Sequence, residues 1–486
     1  MKTLQDILYG VSIEAIVGAT TIPVKGVVFD SRNVKIDFVY VAQKGVQVDG
    51  HDFISHAISN GAKVIVCEFI PAECVAGVAY VKVENSSKTL GVLASNFYDN
   101  PSRKLTLVGV TGTNGKTTIA SLLYALFSSE GYACGLLSTV KIIYGTNQFE
   151  NLHTTPDAIS INKHLHAMVE SGVTHCFMEV SSHGIAQNRI EGLHFYVGIF
   201  SNLTHDHLDY HGDFKNYRDI KKQFFDSLPK TAFALTNVDD KNGTYMLQNT
   251  VAKKYTYAIK QHADFKAQIL ECQFSGMLLK IQSQEVWTSL IGAFNAQNLL
   301  AVYAVSSLLE LPSLSILKRI SELKSVNGRF QTLQTPNKVT VVVDYAHTPD
   351  ALENVLQTIA TIRTRNETLI TVIGCGGNRD QEKRPLMAKA AVNFSDKVIF
   401  TSDNPRNEDP AVIISDMMKG VPAEHYKKTL KVTLREEAIA MAGQLAKEGD
   451  IVLIAGKGHE TYQEINGERF PFSDMDIAKE IFLKLY

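Results

Sequence analysis

Short apolar runs, each followed by a segment with helical spacing, recur along most of this chain. In the middle region the run 105–110 precedes a glycine-rich loop, after which apolar residues recur at helical spacing as far as Leu126. The later apolar runs of this region are 176–180, 197–200 and 233–236. Buried strands that alternate with helices predict a mostly parallel sheet covered on both faces.

The same pattern restarts near Gln331. The strand candidates there are 339–344, 368–374, 397–402 and 450–456, and helical segments fill most of the gaps. This predicts a second, smaller doubly wound unit. In such units, ligands bind beyond the carboxyl ends of the strands.

The first region differs from the two that follow. Short β-rich runs (GVVFD, FVYVA, KVIVCEF and VAYVKV) accompany one helical stretch, from His51 to Asn60, and the turn-rich segment 98–102 is typical of a linker. We therefore predict an α/β protein of three domains. These are a small N-terminal α/β domain (1–103), a central parallel-sheet domain (104–331) and a C-terminal Rossmann-like doubly wound domain (332–486).

Composition and charge exclude several classes of protein. Of the 486 residues, 45% are hydrophobic and 20% are charged, which is ordinary for a globular protein. With 48 basic residues, 50 acidic residues and no basic block, we expect no nucleic-acid partner. No apolar run reaches the ~18 residues that span a bilayer. Asp6 and Glu14 interrupt the N-terminus where a signal peptide needs an apolar stretch.

The six cysteines form no C-x-x-C pair, which favours free thiols in a reducing compartment. Together with the absence of targeting and membrane signals, this predicts a cytoplasmic protein with no membrane partner. We expect a monomer.

The segment VTGTNGKTT, residues 110–118, lies between a predicted strand and a predicted helix. Backbone N–H groups in such a loop form an anion cradle at the start of the helix. Lys116 is expected to reach the outer phosphates of a nucleotide, and the Thr117 hydroxyl to bind Mg²⁺. Val110 stands where the usual G-x-x-x-x-G-K-[ST] pattern has its first glycine, so the loop is a variant of that pattern. The alternative is an ordinary turn between a strand and a helix.

Further candidate residues follow the other strands of the central region. Glu179 ends a predicted strand, where a carboxylate beside a phosphate loop suits Mg²⁺, which prefers hard oxygen ligands. The segment 204–211 holds three histidines, but no cysteine is near and the spacing is not that of a usual zinc site. Lys221, on the next predicted helix, is by composition alone a solvated helix residue.

Taken together, these motifs resemble the Mur ligase family, the ATP-dependent ligases that build the peptide stem of bacterial cell-wall precursors. The motifs are TGTNGKTT (111–118), EVSSHGIAQNR (179–189), SNLTHDHLDYHGD (201–213), GAFNAQN (292–298), NGRFQ (327–331) and DYAHTPDAL (344–352). They cover nearly the whole chain in the family's order. Three C-terminal segments resemble the branch that adds meso-2,6-diaminopimelate to UDP-N-acetylmuramoyl-L-alanyl-D-glutamate: GCGGNRDQEKRPLM (374–387), SDNPR (402–406) and AGKGHE (455–460).

The resemblance implies an ATP-dependent ligase of peptidoglycan synthesis that works through an acyl phosphate. Its substrates are small molecules: ATP, the UDP-muramoyl dipeptide and diaminopimelate, with Mg²⁺ as cofactor. The N-terminal domain is implied to bind the UDP-sugar, the central P-loop ATPase-like domain to bind ATP, and the C-terminal domain to bind the amino acid.

The resemblance also implies roles for individual residues. The implied catalytic residues are Lys116, His207 and Lys221, the last of them N-carboxylated, and the implied metal ligands are Thr117, Glu179, His207 and Lys221. The implied ATP contacts are Gly112, Thr113, Asn114, Gly115, Lys116, Thr117, Thr118, Asn298, Arg329 and Asp344. The implied contacts to the UDP-muramoyl dipeptide are Ser31, Thr154, Thr155, Ser181, Gln187 and Arg189. The implied diaminopimelate contacts are Arg379, Asp403, Asn404, Pro405, Arg406, Gly456 and Glu460.

Three alternatives remain at this point. A lysine-adding ligase shares the chemistry, but a cation such as Arg406 suits the distal carboxylate of diaminopimelate and repels the ammonium of lysine. A folylpolyglutamate synthase-like ligase shares the central fold but lacks the uridine-binding domain and the DNPR segment. A binding protein without catalysis is disfavoured because Lys116, Glu179, His207 and Lys221 are all present.

Overall fold

The computed structural model describes residues 2–45, 48–151, 153–206 and 208–484. Its N-terminal part is built around a five-stranded sheet of order β2-β7-β6-β5-β4, in which β4 to β7 are parallel and β2 is an antiparallel edge. The elements of this part are β1 (Lys2–Thr3), α1 (Leu4–Ile7), β2 (Ala15–Val17), β3 (Pro23–Val24), β4 (Gly26–Val28), β5 (Phe38–Val41), α2 (Ile54–Ser59), β6 (Ala62–Cys67), β7 (Ala79–Lys82) and α3 (Ser86–Phe97). Short 3-10 helices cover Ser31–Asn33, Gly50–Phe53 and Pro101–Arg103.

The central part contains an eleven-stranded sheet of order β11-β10-β9-β12-β8-β13-β14-β15-β16-β17-β18. Its strands are β8 (Thr106–Thr111), β9 (Cys134–Leu137), β10 (Ile142–Tyr144), β11 (Asn147–Phe149), β12 (His175–Glu179), β13 (Val197–Phe200), β14 (Phe233–Asn237), β15 (Lys253–Ala258), β16 (Phe265–Gln273), β17 (Gly276–Ile281) and β18 (Gln284–Thr288). Its helices are α4 (Lys116–Ser129), α5 (Ala158–Glu170), α6 (Ser182–Ala186), α7 (Leu208–His211), α8 (Phe214–Asp226), α9 (Gly243–Met246), α10 (Ala293–Leu308) and α11 (Ser313–Glu322). In this spatial order, the seven neighbouring strands β9, β12, β8, β13, β14, β15 and β16 run parallel. Antiparallel strands complete both edges, β10 and β11 at one and β17 and β18 at the other.

The C-terminal part is a six-stranded sheet of order β19-β20-β24-β21-β22-β23, parallel except for β19. Its strands are β19 (Gln331–Gln334), β20 (Thr340–Asp344), β21 (Leu369–Ile373), β22 (Lys397–Phe400), β23 (Thr429–Lys431) and β24 (Ile451–Ala455), followed by the hairpin β25 (Tyr462–Ile465) and β26 (Glu468–Pro471). Its helices are α12 (Pro349–Ile362), α13 (Lys383–Phe394), α14 (Pro410–Met418), α15 (Arg435–Leu445) and α16 (Asp474–Lys484), with a 3-10 helix at Ala423–Lys428.

The predicted α/β class with parallel sheets is confirmed, and the apolar runs of the central and C-terminal regions form strands at the expected places. The expectation of one helical stretch in the first region is wrong. Residues 50–53 form a 3-10 helix before the six-residue helix α2, and the described residues of this part contain two further α-helices, the short α1 and the twelve-residue α3. Its sequence is polar and contains Gly91, so the local pattern is weak. Leu90 and Leu93 hold it against the N-terminal sheet, and Asn85 caps its start by accepting from the Lys88 N–H at 2.8 Å.

A buried ion pair ties two C-terminal helices to the strand ends that carry candidate site residues. Arg435 and Asp474 are both buried and form two hydrogen bonds of 2.7 Å. The Arg435 guanidinium also donates to the carbonyl oxygen of Ala455, at the end of β24, at 2.9 Å. The carboxyl ends of the parallel strands lie at one edge of the sheet. The Arg435–Asp474 pair therefore connects helices α15 and α16 to that edge through the end of β24.

In the part of the chain that the structure describes, no helix combines the length and the apolar character needed to cross a membrane.

We predict that Arg435→Met destabilises the C-terminal part strongly, because it leaves the Asp474 carboxylate buried without its partner. Breaking a buried pair costs about 3–5 kcal/mol. The matched control is Lys338→Met, since Lys338 pairs with Glu448 at 3.1 Å on the surface. Exposed changes of this kind usually stay within about 0.5 kcal/mol. Urea unfolding followed by circular dichroism measures both, and equal stability of the two variants would contradict the prediction.

Candidate active site

The phosphate loop joins β8 to α4 through backbone that requires glycine. Gly112 has φ 148° and Gly115 has φ 89°. A Cβ at Gly112 would lie 2.0 Å from Ser201 Oγ, and one at Gly115 would lie 2.6 Å from Asn298 Oδ1. The loop is therefore held tightly between β13 and α10, with its N–H groups at the start of α4.

Two lysine side chains converge on this loop. Lys116 Nζ donates to the carbonyl oxygens of Gly112 and Thr113, at 2.9 and 2.8 Å. Lys221 Nζ, from α8, donates to the same Gly112 oxygen at 2.9 Å. Lys221 is buried, and burial together with the charge of Lys116 holds its pKa well below the ordinary value. Burial also lowers the pKa of Lys116.

Glu179 is a buried carboxylate at the carboxyl end of β12, next to the start of α4. It accepts hydrogen bonds from Thr117 Oγ1 at 2.9 Å, from the Thr139 N–H at 2.7 Å and from Thr139 Oγ1 at 3.2 Å. The Glu179 carboxylate and the Thr117 hydroxyl are hard oxygen donors, the type that Mg²⁺ prefers. Thr139 was not predicted, although it follows the carboxyl end of β9, where a polar residue is a candidate for this edge.

The other predicted residues of the loop contact helix α8 and the segment after β13. Thr113 Oγ1 lies 3.1 Å from the Tyr217 hydroxyl, and the Asn114 N–H donates to Asn202 Oδ1 at 2.9 Å. Thr118 is buried in the first turn of α4. The loop is thus fixed from several sides in one conformation.

Two polar contacts connect the phosphate loop to the C-terminal part and to the segment that leads into its first strand, β19. Arg329 Nη2 donates to Thr117 Oγ1 at 3.3 Å, and its guanidinium lies 4.4 Å from the centre of the Tyr345 ring. Asn114 Nδ2 donates to Asp350 Oδ2 at 3.2 Å. These contacts make one cleft between the central and C-terminal parts.

Polar and aromatic side chains from both parts line this cleft. The lining residues are Asn114, Gly115, Thr118, Ser201, Asn202, Tyr257, Phe294, Gln297, Asn298, Arg329, Asp344, Tyr345, Ala346, His347, Ala351, Asn354 and Val355. Asp344 accepts from the Phe330 and Ala346 N–H groups at 2.6 and 2.7 Å, and burial raises its pKa. Burial lowers the pKa of His347 to about 4. The structure therefore brings Asn298, Arg329 and Asp344, the residues implied to contact ATP, together in one cleft.

The residues predicted for the muramoyl dipeptide form a chain of hydrogen bonds beside Glu179. Thr155 Oγ1 donates to the Glu179 carbonyl oxygen at 2.9 Å and accepts from the Ser181 N–H at 2.9 Å. Arg189 Nη1 donates to the Thr155 carbonyl oxygen at 2.6 Å, and Arg189 Nη2 donates to Gln187 Oε1 at 2.6 Å. Thr154 Oγ1 accepts from Thr139 Oγ1 at 3.1 Å.

Ser31 belongs to a separate place in the N-terminal part. It is buried in a 3-10 helix, and its hydroxyl lies 3.0 Å from His56 Nδ1. This contact lies within the N-terminal part, so the structure does not bring Ser31 into the cluster around Glu179.

The residues predicted for the amino acid meet at the carboxyl ends of β21, β22 and β24. Asn404 Nδ2 donates to Glu460 Oε2 at 2.8 Å. A Cβ at Gly456, which has φ 116°, would lie 2.7 Å from Asp403 Oδ2. Burial and the Asp403 carboxylate raise the pKa of Glu460. Pro405 is buried beside them.

Asp403, Asn404, Gly456 and Glu460 form a second cluster, and basic side chains lie within it and beside it. Lys457 is buried and donates to Glu460 Oε2 at 2.8 Å and to Asn404 Oδ1 at 2.9 Å. Its AGKGHE segment was recognised, but no role was predicted for the lysine. Arg406 donates to the Gly377 carbonyl oxygen at 2.8 Å and pairs with Glu464 at 3.3 Å. Arg379 lies exposed on the neighbouring turn.

His207, predicted as a catalytic residue and metal ligand, lies outside the described residues. Within the described ranges, no group of three or more His, Cys, Asp or Glu side chains could hold a metal ion. The Glu179 carboxylate and the Thr117 hydroxyl are the predicted metal ligands that the structure places next to each other, 2.9 Å apart.

Comparisons with known proteins agree with this geometry. Three family descriptions match the chain: "Mur ligase family, catalytic domain" over residues 23–98, "Mur ligase middle domain" over 110–306 and "Mur ligase, glutamate ligase domain" over 328–458. The UDP-N-acetylmuramoyl-L-alanyl-D-glutamate--2,6-diaminopimelate ligase of Cytophaga hutchinsonii is 52% identical over 479 residues, 98% of each chain. The ligase of the same name from Phocaeicola vulgatus is 50% identical and covers 99% of each chain.

Solved structures show the same likeness. A structure of UDP-N-acetylmuramoyl-L-alanyl-D-glutamate--2,6-diaminopimelate ligase matches with a TM-score of 0.71 and 33% identity, covering 99% of this chain and 98% of that one. A MurF ligase from Thermotoga maritima in complex with ADP shares the fold, with a TM-score of 0.62, 20% identity and coverage of 94% of this chain and 97% of that one. The motifs, the phosphate loop and these matches over the whole chain agree: the protein belongs to the Mur ligase family, whose members are ATP-dependent, ADP-forming ligases.

Proposed function

We propose that this protein joins meso-2,6-diaminopimelate to UDP-N-acetylmuramoyl-L-alanyl-D-glutamate at the expense of ATP, in peptidoglycan precursor synthesis. The observation that carries the proposal is the shared cleft. The phosphate loop of the central part faces the strand ends of the C-terminal part, and Arg329 and Asp350 connect the two. The names of relatives about 50% identical over the whole chain support the same substrates.

The reaction brings a carboxylate and the phosphates of ATP together, so its site must stabilise several negative charges close to each other. The γ-carboxylate of the D-glutamyl residue attacks the γ-phosphorus of ATP, so a carboxyl–phosphate bond forms and ADP leaves. The amine of diaminopimelate then attacks the acyl carbon, the C–O bond to phosphate breaks, and inorganic phosphate and a proton are released. Lys116, Arg329 and the loop N–H groups supply fixed positive charge for both steps.

We propose that Glu179 and Thr117 hold Mg²⁺ with the phosphates. Both oxygens lie at the start of α4, 2.9 Å apart, and Thr139 supports the carboxylate. When bound, the ion supplies charge neutralisation at the phosphate oxygens. For the other substrates we propose the contacts predicted from the motifs, with Thr155, Ser181, Gln187 and Arg189 at the dipeptide.

We propose that Lys221 carries an N-carboxyl group. A carbamate forms only from a neutral amine, and the lowered pKa of Lys221 favours that state at neutral pH. The product is anionic, which removes the repulsion from Lys116 and gives an oxygen ligand beside the loop.

We propose that the second cluster recognises the distal end of diaminopimelate, which carries both an ammonium and a carboxylate. The Glu460 and Asp403 carboxylates suit the ammonium, while Arg406 and Arg379 suit the carboxylate through paired hydrogen bonds. Lysine lacks that carboxylate. We also propose a cytoplasmic location, because ATP is a substrate and the six cysteines are free thiols.

We predict that Lys116→Ala folds normally but loses nearly all ATP turnover, because the outer phosphates lose the positive charge of the Lys116 ammonium. The matched control is Lys104→Ala, an exposed lysine near the amino end of the same strand. Calorimetric ATP titration and phosphate release measure the effect. A folded Lys116→Ala variant with the ATP affinity and turnover of Lys104→Ala would exclude the phosphate role.

We predict that Lys221→Ala loses most activity and regains part of it when acetate or formate is added, since a small carboxylate can enter the space of the carbamate. The control is Lys222→Ala, because Lys222 is a buried lysine on the same helix that pairs with Asp226 at 2.7 Å. Two results would contradict the carboxylated lysine. One is a Lys221→Ala variant that stays fully active without added carboxylate or gains nothing from it, and the other is an equal gain in both variants.

We predict that Arg406→Ala raises the KM for diaminopimelate by more than about tenfold, because losing a charge pair with a ligand typically costs about 2–5 kcal/mol. The KM values for ATP and the UDP-dipeptide should stay near wild type. Arg365→Ala, an exposed arginine that precedes β21 at the opposite edge of the sheet, is the control.

The same phosphate-release assay tests the proposed function itself. Wild-type enzyme with ATP and the UDP-dipeptide should release phosphate with diaminopimelate and only slowly with lysine. Comparable turnover with both amino acids would contradict the assignment and favour a lysine-adding enzyme.

A further inference from the structure

Two loops of the C-terminal part are joined to each other at the proposed amino-acid site. One covers residues 374–379 after β21, and the other covers residues 402–409 after β22. The Gly377 N–H donates to the Asn404 carbonyl oxygen at 2.9 Å, and Arg406 Nη1 donates to the Gly377 carbonyl oxygen at 2.8 Å. The position of each loop therefore depends on the other.

The contact between the loops is too close for any side chain at its centre. A Cβ at Gly377 would lie 2.0 Å from the Pro405 carbonyl oxygen. A Cβ at Gly376 would lie 3.0 Å from Arg406 Nη1 and 3.8 Å from Arg379 Cγ. The two arginine side chains thus border the same point, one from each loop. Whether both can reach one carboxylate depends on how the loops are held together.

Glu408 is the side chain that fastens the first loop to the second. Its carboxylate Oε1 accepts a hydrogen bond from the Asn378 N–H, and the Asn407 N–H donates to Asn378 Oδ1 at 3.1 Å. Asn378 and Arg406 both have φ 52°, a left-handed conformation that side chains other than glycine rarely adopt. Such conformations persist where surrounding contacts enforce them.

Arg384, on α13, fixes the Glu408 carboxylate in turn. Its side chain is fully buried, and Nη2 donates to both carboxylate oxygens of Glu408 at 2.9 and 2.8 Å. Arg384 Nη1 donates to Asp416 Oδ2 at 3.0 Å, on α14. The Asn378 N–H and Arg384 together hold the pKa of Glu408 below its ordinary value, so the carboxylate stays ionised at neutral pH.

We propose that Glu408, held by Arg384, is a positioning residue for amino-acid recognition. It clamps the turn 376–379 against the loop 402–406 so that Arg379 and Arg406 are set in advance for the distal carboxylate. This inference rests on the proposed function. Glu408 itself need not touch the substrate, and its effect passes through the two arginines.

Asp416 provides a matched control for this role. Its side chain is 22% exposed against 21% for Glu408, and both carboxylates pair with the same buried guanidinium. The Asp416 carboxylate accepts hydrogen bonds from Arg384 and Lys419, and neither of these residues belongs to the loop 374–379. Removing either carboxylate weakens the Arg384 network, but only the loss of Glu408 releases the turn.

The test compares Glu408→Ala, Glu408→Gln and Asp416→Ala with wild type by phosphate release and thermal unfolding. We expect both alanine variants to lower the unfolding temperature to a similar extent. Glu408→Ala should raise the KM for diaminopimelate by about tenfold, since misplacing a binding group by about 1 Å is already costly. Its kcat should stay within about threefold of wild type, and the KM for ATP should not change.

Glu408→Gln keeps an oxygen acceptor for the Asn378 N–H, so its KM for diaminopimelate should lie between those of wild type and Glu408→Ala. It also decides the question if Glu408→Ala fails to fold. Asp416→Ala should keep the wild-type KM.

Equal KM values for the Glu408 variants and Asp416→Ala, with an active wild-type enzyme, would overturn the positioning role and leave the proposed function standing. A wild-type enzyme that releases no phosphate with diaminopimelate would overturn both.

Discussion

Two lysine side chains share one backbone oxygen at the phosphate loop, and this concentration of positive charge governs the central site. Lys116 and Lys221 both donate to the Gly112 carbonyl oxygen at 2.9 Å, and the Lys221 side chain is almost completely buried. Like charges so close in a region of low dielectric constant repel strongly, so one amine must lose its proton or an anion must bind. We propose that phosphate groups satisfy the first lysine and that a carboxyl group on Lys221 satisfies the second. The backbone shape that brings them together is possible only because position 112 is glycine, since any Cβ would collide with Ser201.

A second group of charged side chains belongs to the C-terminal part and to the segment that leads into it. Parallel strands in both sheets end at the cleft, so the loops after them lie there for topological reasons. Arg329 crosses the cleft to the Thr117 hydroxyl, and the Asn404, Lys457 and Glu460 cluster lies at the strand ends behind it. In the proposed reaction, an acyl phosphate forms at the loop and reacts with an amine that the C-terminal part holds. The two steps of the proposed reaction use the two sides of one cleft.

Local sequence patterns predicted the loop motifs and part of the strands, among them β8, β12, β13 and β14 of the central sheet, because apolar runs and glycine-rich turns act over a few residues. The strands β15 to β18, which extend the central sheet at one edge, were not predicted. The contacts that give these motifs their chemistry could not be predicted in the same way. Thr139 supports Glu179 from a strand end forty positions away in the chain, and Arg384 fixes Glu408 through a guanidinium that sequence alone would place on a helix surface. Helix α3 could not be predicted because most of its residues are polar or small. Leu90 and Leu93, which pack it against the sheet, are too few to give a clear helical pattern. Burial of Lys221 is also a tertiary effect, since its composition is that of an exposed helix residue.

The most direct test of this account follows the oxygen atoms of the reaction. The UDP-dipeptide is prepared with ¹⁸O in the γ-carboxylate of its D-glutamyl residue and is incubated with enzyme, ATP and diaminopimelate. If the carboxylate is phosphorylated and the amine then displaces phosphate, one ¹⁸O atom passes into each inorganic phosphate, and mass spectrometry of that phosphate detects it. Phosphate without label, released while the amino acid is joined, would contradict an acyl phosphate formed at this loop.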